Sequence, residues 1–232
     1  DQGPVHYCIG FSISVGDNVD YIRVNQKQYI LRMLEKFGMT GCNSVSTPAD
    51  CNVQLVKSTD ENRDVDRALY LSIIGSLLYL AVGSRPDIAF VVSLLARFSS
   101  NPSITHLTAA KRCIRYLSGT MDLSLHYSSN GNSELIGFSD ADFAGDVDDR
   151  KSTSGNCFIY AGAAVSWRSS QSRHCPQHRI DAWVAGCLAC RRSPQLARLG
   201  SAPRHAAPAA AAAPAAAAAA TAAAAARSEL PW

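Results

Sequence analysis

Residues 134–155, ELIGFSDADFAGDVDDRKSTSG, decide how this chain is read. Leu135, Ile136 and Phe138, around the small Gly137, have the composition of a strand. Two carboxylates, Asp140 and Asp142, follow where that strand is expected to end. Asp146, Asp148 and Asp149 come next, then Arg150 and Lys151, then a turn-prone Ser-Thr-Ser-Gly at 152–155. Side chains alternate across a strand, so Asp140 and Asp142 are expected on one face. Carboxylate oxygens held at the tip of a strand suit Mg²⁺, a hard cation. The same run of acids, glycine and serine would equally make a solvated turn.

The stretch resembles the opening of the ribonuclease H domain in copia-type retrotransposon polyproteins, which run SDADWAGD…DRKSTSG. Phe143 stands where that family usually has Trp. The resemblance implies that Asp140 is the first catalytic, metal-binding carboxylate of that domain. Asp142 is the weaker metal candidate beside it, and Mg²⁺ is the implied cofactor.

The whole chain has 232 residues, enough for one substantial domain or two small ones. Lys and Arg outnumber Asp and Glu by only 22 to 19, too small an excess to argue for nucleic acid by itself. Eight cysteines show no compact disulfide framework, so free thiols in a reducing compartment are expected. No signal-peptide pattern opens the sequence, and no apolar run before the tail reads as a membrane span. The expected location is therefore intracellular, cytoplasmic, away from the membrane. Without an initiator methionine, the chain reads as a piece of a longer protein.

Before the acidic stretch, residues 5–15 and 18–24 read as two strands of a hairpin around Gly16-Asp17-Asn18. Residues 26–37 have helical spacing, with Gly38 placed to stop the helix. Residues 40–66 read as a long irregular connection. Residues 67–82 are so rich in apolar side chains that a helix buried on most sides is expected. Pro86 suits the first turn of a helix over 87–98. A third helix, 104–117, carries Ile104, Leu107, Ala110, Ile114 and Leu117 on one stripe. Strands are expected at 121–127, 135–138, 157–160 and 164–167, all in one antiparallel set.

The region before the acids resembles the end of the reverse transcriptase in the same polyproteins. The matching pieces are Tyr29-Ile30, Leu34 to Gly38, Ser46-Thr47-Pro48, residues 74–80 (IGSLLYL), Arg85-Pro86-Asp87-Ile88, Ala110-Lys111-Arg112 and Arg115-Tyr116-Leu117 with Gly119-Thr120. That family's polymerase aspartates sit in a YVDD-like hairpin, and no such motif precedes Val5. His106, Lys111, Arg112 and Arg115 are candidate contacts to template–primer phosphates, since Lys and Arg neutralise phosphate without reading bases. An ordinary solvated helix face would carry the same residues.

The resemblance runs to Ser170. The family continues there into a VALSTxEAEY helix that supplies a catalytic glutamate. This chain instead has QSRHCPQHR at 171–179. Read one nucleotide later, codons for 173–179 can spell Val-Ile-Ala-Leu-Ser-Thr-Glu, which implies a frameshift near 171–173. On that reading His174, His178, Cys187 and Cys190, which mimic zinc-ligand spacing, are accidental, and residues 206–226, almost pure alanine, form an undocked tail.

The expectation is an α+β chain in three parts. Residues 1–120 are a distal, thumb- and connection-like reverse transcriptase region. Residues 121–170 are a truncated ribonuclease H-like domain, and 171–232 an out-of-frame tail. The implied parent copies RNA and cleaves it in RNA–DNA hybrids with Mg²⁺, and the chain itself is expected to be inactive. The alternatives are a nucleic-acid-binding remnant without catalysis, or a pseudogene product without function.

Overall fold

The computed structural model describes residues 5–57, 65–131, 133–142 and 145–171. The suspected frameshift, the zinc-like spacing and the alanine tail lie outside the described residues. The described chain is mixed α/β, with four α-helices and two antiparallel sheets.

The first sheet has the order β1-β2-β3-β4, with β1 Tyr7–Cys8, β2 Phe11–Val15, β3 Tyr21–Asn25 and β4 Leu125–Ser128. The hairpin β2–β3 is the expected one, but residues 5–15 do not form a single strand. Ile9 (φ 45°) and Gly10 (φ 81°) turn the chain back between β1 and β2. The Tyr79 hydroxyl donates to the Ile9 carbonyl, and a Cβ on Gly10 would lie 2.6 Å from that hydroxyl. Only glycine leaves room for this contact while accepting the left-handed backbone. β4 pairs with β3, so the strand expected at 121–127 joins the first sheet and not the later strand set. Its partner edge is open once β3 is in place, and long-range pairing takes it.

The core is helical. α1 (Lys27–Lys36) ends at Gly38 (φ 63°), with Gly38 N–H and Met39 N–H bonding back to Glu35 and Leu34 carbonyls. α2 (Arg67–Gly83) starts on Asp66, whose carboxylate accepts from the Ala68 and Leu69 N–H groups. It buries Tyr70, Ile73, Ile74, Leu77, Leu80 and Ala81. It is not covered on most sides as expected: Leu71, Leu78 and Val82 face out, Val82 at 76% exposure. Composition alone cannot tell a buried helix from one with an uncovered apolar stripe. Pro86–Ile88 form a 3-10 turn, and α3 (Ala89–Ala96) follows as a shorter helix than expected. α4 (Ile104–Gly119) packs Leu107, Ala110, Cys113, Ile114 and Leu117 against the others. No helix among the described residues is long and apolar enough to cross a membrane.

The second sheet has the order β5-β6-β7, with β5 Ile136–Ala141, β6 Thr153–Tyr160 and β7 Ala163–Gln171. Residues 153–155, expected as a turn, are strand. β6 is the central strand and is bonded on both sides, which overrides the local preference of Ser and Gly. The sheet is docked on the helical unit. The Trp167 indole N–H donates to the Ala81 carbonyl at 2.6 Å, and the Tyr127 hydroxyl of β4 donates to the Ala164 carbonyl at 2.7 Å. Among the described residues β5 pairs only with β6, and its Ile136 and Phe138 are exposed.

Candidate functional site

Strand β5 runs through Asp140, so the first candidate carboxylate sits inside the strand, opposite Gly155. Asp140 is exposed, and its Oδ1 accepts from the Ala141 N–H at 2.8 Å. Asp142 lies just beyond the strand end. Its Oδ1 accepts from the Thr153 N–H at 2.5 Å while its own N–H donates to the Thr153 carbonyl, closing the loop between β5 and β6.

The later acids have separate tasks. The Asp146 side chain is 2% exposed and meets Arg97 Nη1 at 2.5 Å. It also accepts from the Asp148 and Asp149 N–H groups and from Gln171 Nε2 at 2.6 Å. One buried carboxylate thus pins the acidic loop to the end of α3 and to β7. Asp148 accepts from the Lys57 N–H, and Asp149 pairs with Lys57 Nζ at 2.6 Å. The direct bond between them holds the Asp149 carboxyl below its ordinary range and raises the Lys57 amine.

Among the described residues no group of three or more His, Cys, Asp or Glu is placed to hold a metal ion. A two-Mg²⁺ centre needs several carboxylates converging on the ions. Here Asp142 closes a loop, Asp146 faces a guanidinium, and Asp148 and Asp149 are bonded to Lys57, which leaves Asp140 as an exposed acid apart from them. The described residues do not fit a two-ion site.

The four basic candidates on α4 are placed differently from one another. His106 is 1% exposed and does not belong to a solvent-facing basic surface. Its Nδ1 accepts from the Ser103 N–H at 2.9 Å in a capping box, and the ring stacks on Phe98 with centroids 4.0 Å apart. Burial lowers its pKa, against a raising hydrogen bond with the Val56 backbone, so the neutral imidazole is favoured. Arg112 Nη2 donates to the Thr47 hydroxyl at 2.9 Å, with Asp50 at 3.6 Å from Nη1. Arg115 Nε donates to the Asn43 carbonyl at 2.7 Å. These two hold the 42–50 connection on α4. Lys111 is exposed.

In the sequence, Arg85, Asp87, Tyr116 and Thr120 are only parts of the pieces that match the family. In the structure they meet. Arg85, 2% exposed, forks onto Asp87 through Nε (3.0 Å) and Nη2 (2.7 Å). It also donates to the Thr120 carbonyl at 3.0 Å and hydroxyl at 2.7 Å. The Tyr116 hydroxyl donates to Asp87 at 2.8 Å. Burial works to lower the Arg85 pKa, but the bond and charge of Asp87 outweigh it and raise it. Burial, with Asp87 beside it, pushes the Tyr116 hydroxyl to about 12. The network clamps the end of α2 to the end of α4. An Arg and an Asp two residues apart, at the break between two apolar helices, are the signal in the sequence.

The chain is 37% identical over 174 residues to the retrovirus-related Pol polyprotein from transposon TNT 1-94 of Nicotiana tabacum, covering 73% of this chain and 13% of that one. It is 33% identical over 176 residues to the retrovirus-related Pol polyprotein from transposon RE1 of Arabidopsis thaliana, covering 75% and 12%. An uncharacterized mitochondrial protein of Arabidopsis thaliana, AtMg00810, is 30% identical over 171 residues, covering 74% of this chain and 69% of that one. The chain therefore spans only a small part of the two polyproteins. No family model matches the chain, and no solved structure matches it.

Proposed function

The chain belongs to the retrovirus-related Pol polyproteins of transposons, and from that premise we propose that it is a catalytically inactive piece of a copia-type element. On this reading the first part is the distal reverse transcriptase region and the second the opening of ribonuclease H. The pairing of β4 with β3 of the first sheet supports a junction after β4.

One observation carries the proposal: Asp140 stands exposed on β5 while the neighbouring acids are bonded elsewhere. Asp146 is taken by Arg97 and Gln171, and Asp149 by Lys57. Hydrolysis of RNA in a hybrid with two Mg²⁺ ions would need further carboxylates. Asp140 and Asp142 together offer a divalent cation few ligands, so any Mg²⁺ affinity is weak, with a dissociation constant on the order of millimolar or above.

The test uses an RNA–DNA hybrid with Mg²⁺. The chain should cleave no RNA above background and extend no primer. Restoring the frame after Ser170, with the downstream domain, should recover cleavage without synthesis. Asp140→Asn should then abolish it. Asp140-dependent cleavage by the unrepaired chain would defeat the proposal, as would a repaired chain indifferent to Asp140→Asn. The exposed Lys111 favours a second reading, a nucleic-acid-binding remnant. It requires hybrid binding that weakens with salt and with Lys111→Gln.

A further inference from the structure

We propose that β5 is a pairing edge for a second copy of this chain, the three-stranded sheets of the two copies joining antiparallel through β5. Among the described residues β5 has β6 on one side and no strand on the other. Every residue of β5 except Gly137 is exposed, whereas the central β6 is half-buried from Thr153 to Ile159. Hydrogen bonding along an antiparallel strand alternates with a period of two. Asp142 N–H donates to the Thr153 carbonyl, so the backbone groups of Ile136, Phe138 and Asp140 also point to β6. Those of Gly137, Ser139 and Ala141 then point outward. Ala141 N–H is taken there by Asp140 Oδ1 at 2.8 Å. Gly137 and Ser139 each present a donor and an acceptor to an incoming strand.

Charge selects the register, and the register is self-complementary. No residue from Leu135 to Ser139 is charged, and Asp140 is the one acid within β5. A two-fold axis must match outward residues of one copy with outward residues of the other. An axis at Ser139 would hold the two Asp140 carboxylates two residues apart along the ladder, about 7 Å. An axis at Gly137 would set Asp140 opposite the second copy's Glu134. Like charges so placed oppose pairing. An axis at Phe138 avoids both. Gly137 then exchanges both of its backbone hydrogen bonds with Ser139 of the other copy. The Phe138 rings meet at a non-hydrogen-bonded position, where side chains come closest. Asp140 lies opposite Ile136, and the two carboxylates stand four residues apart, about 13 Å. That exceeds the Debye length of about 8 Å at physiological salt.

Strand addition gains mostly main-chain hydrogen bonds, with Ile136 and Phe138, 37% and 44% exposed, as the apolar contribution. Such a contact is smaller than the roughly 1,000 Å² of a stable interface, so the dimer is weak, with a dissociation constant on the order of 100 µM. The proposal does not depend on the ribonuclease H reading, and its failure would leave the cleavage experiment unaffected.

The experiment is analytical ultracentrifugation of the full chain from about 5 to 500 µM, a range that brackets the expected constant, with hydrogen exchange read at both ends. The mean mass should rise toward twice that of one chain, and exchange across 136–141 should slow as it does. Ser139→Pro removes an outward N–H and spares the bonds to β6. It should weaken association at least tenfold, a loss on the scale of a few main-chain hydrogen bonds, whereas Ser139→Ala should associate like the parent chain. Should Ser139→Pro disturb the sheet by circular dichroism, substitutions at the exposed Phe138 decide alone. Phe138→Asp and Phe138→Lys should each be monomeric, since the axis sets like charges opposite one another, and mixing the two should restore the dimer. A mixture that stays monomeric would overturn the proposal. So would a parent chain monomeric throughout, or protection of 136–141 that ignores concentration, as residues 172–232 occupying the edge would give.

Discussion

Arg85 shows how much one buried charge can carry. Its guanidinium meets Asp87 and Thr120 with almost no exposure, so removing it strands the Asp87 carboxylate among Tyr116 and the helix ends. Arg85→Met should therefore cost about 3–5 kcal/mol, read as a lower urea midpoint with an unchanged slope. Arg85→Lys should rescue little, because an ammonium cannot reproduce the fork onto Asp87. His106 adds a pH dependence of known sign. Its folded pKa lies below the ordinary 6.5, so the unfolded chain takes up the proton first. The stability this neutral ring contributes is complete above about pH 6.5 and is lost as pH falls through the lower folded value. His106→Gln should flatten the fall in urea midpoint between pH 7.5 and pH 5. Cys113 is fully buried and its thiol is pushed to about 12, whereas Cys8 and Cys51 are exposed. A thiol reagent at neutral pH should modify Cys8 and Cys51 in the folded chain and reach Cys113 only on unfolding.

The elements of the second sheet are held unequally. β7 is anchored by Trp167 to α2 and by Gln171 to Asp146, while among the described residues β5 pairs on one side only, with Ile136 and Phe138 exposed. Such an edge is a template for pairing with another chain. Phe138→Ser should therefore reduce self-association in light scattering and leave the circular dichroism melting of the helical unit unchanged. Arg97→Met should do the opposite, leaving Asp146 buried without its cation. Hydrogen exchange should then accelerate in β6 and β7 well before α2.

At the scale of the whole molecule, the acidic loop ties the two units together. Lys57 from the connection and Arg97 from the helical unit both bind acids that follow β5. The acids that follow the two metal candidates are used to join parts of the fold. This is why the proposed inactivity concerns placement as well as number: Asp142, Asp146, Asp148 and Asp149 face partners within the chain. Magnesium titrated against the chain should accordingly give no saturable signal below the millimolar range. Tight binding lost on Asp140→Asn would refute it.

The sequence by itself determined the family, through motifs kept in order, and the local elements whose cause is local. α1 stopping at Gly38, α2 starting on Asp66, and the β2–β3 hairpin follow from capping and turn chemistry within a few residues. A strand leading into Asp140 was also legible from its apolar residues, though β5 runs one residue past it to Ala141. Only the tertiary structure decided which sheet took β4, that 153–155 extend and do not turn, and that α2 keeps Leu71, Leu78 and Val82 uncovered. It alone buried His106 and turned Arg112 and Arg115 inward to the 42–50 connection. Capping and turn preferences are properties of neighbouring residues, and a sequence displays neighbours. Strand partners, burial and ion pairs join residues far apart in the chain, and their energies exist only once those residues have been brought into contact.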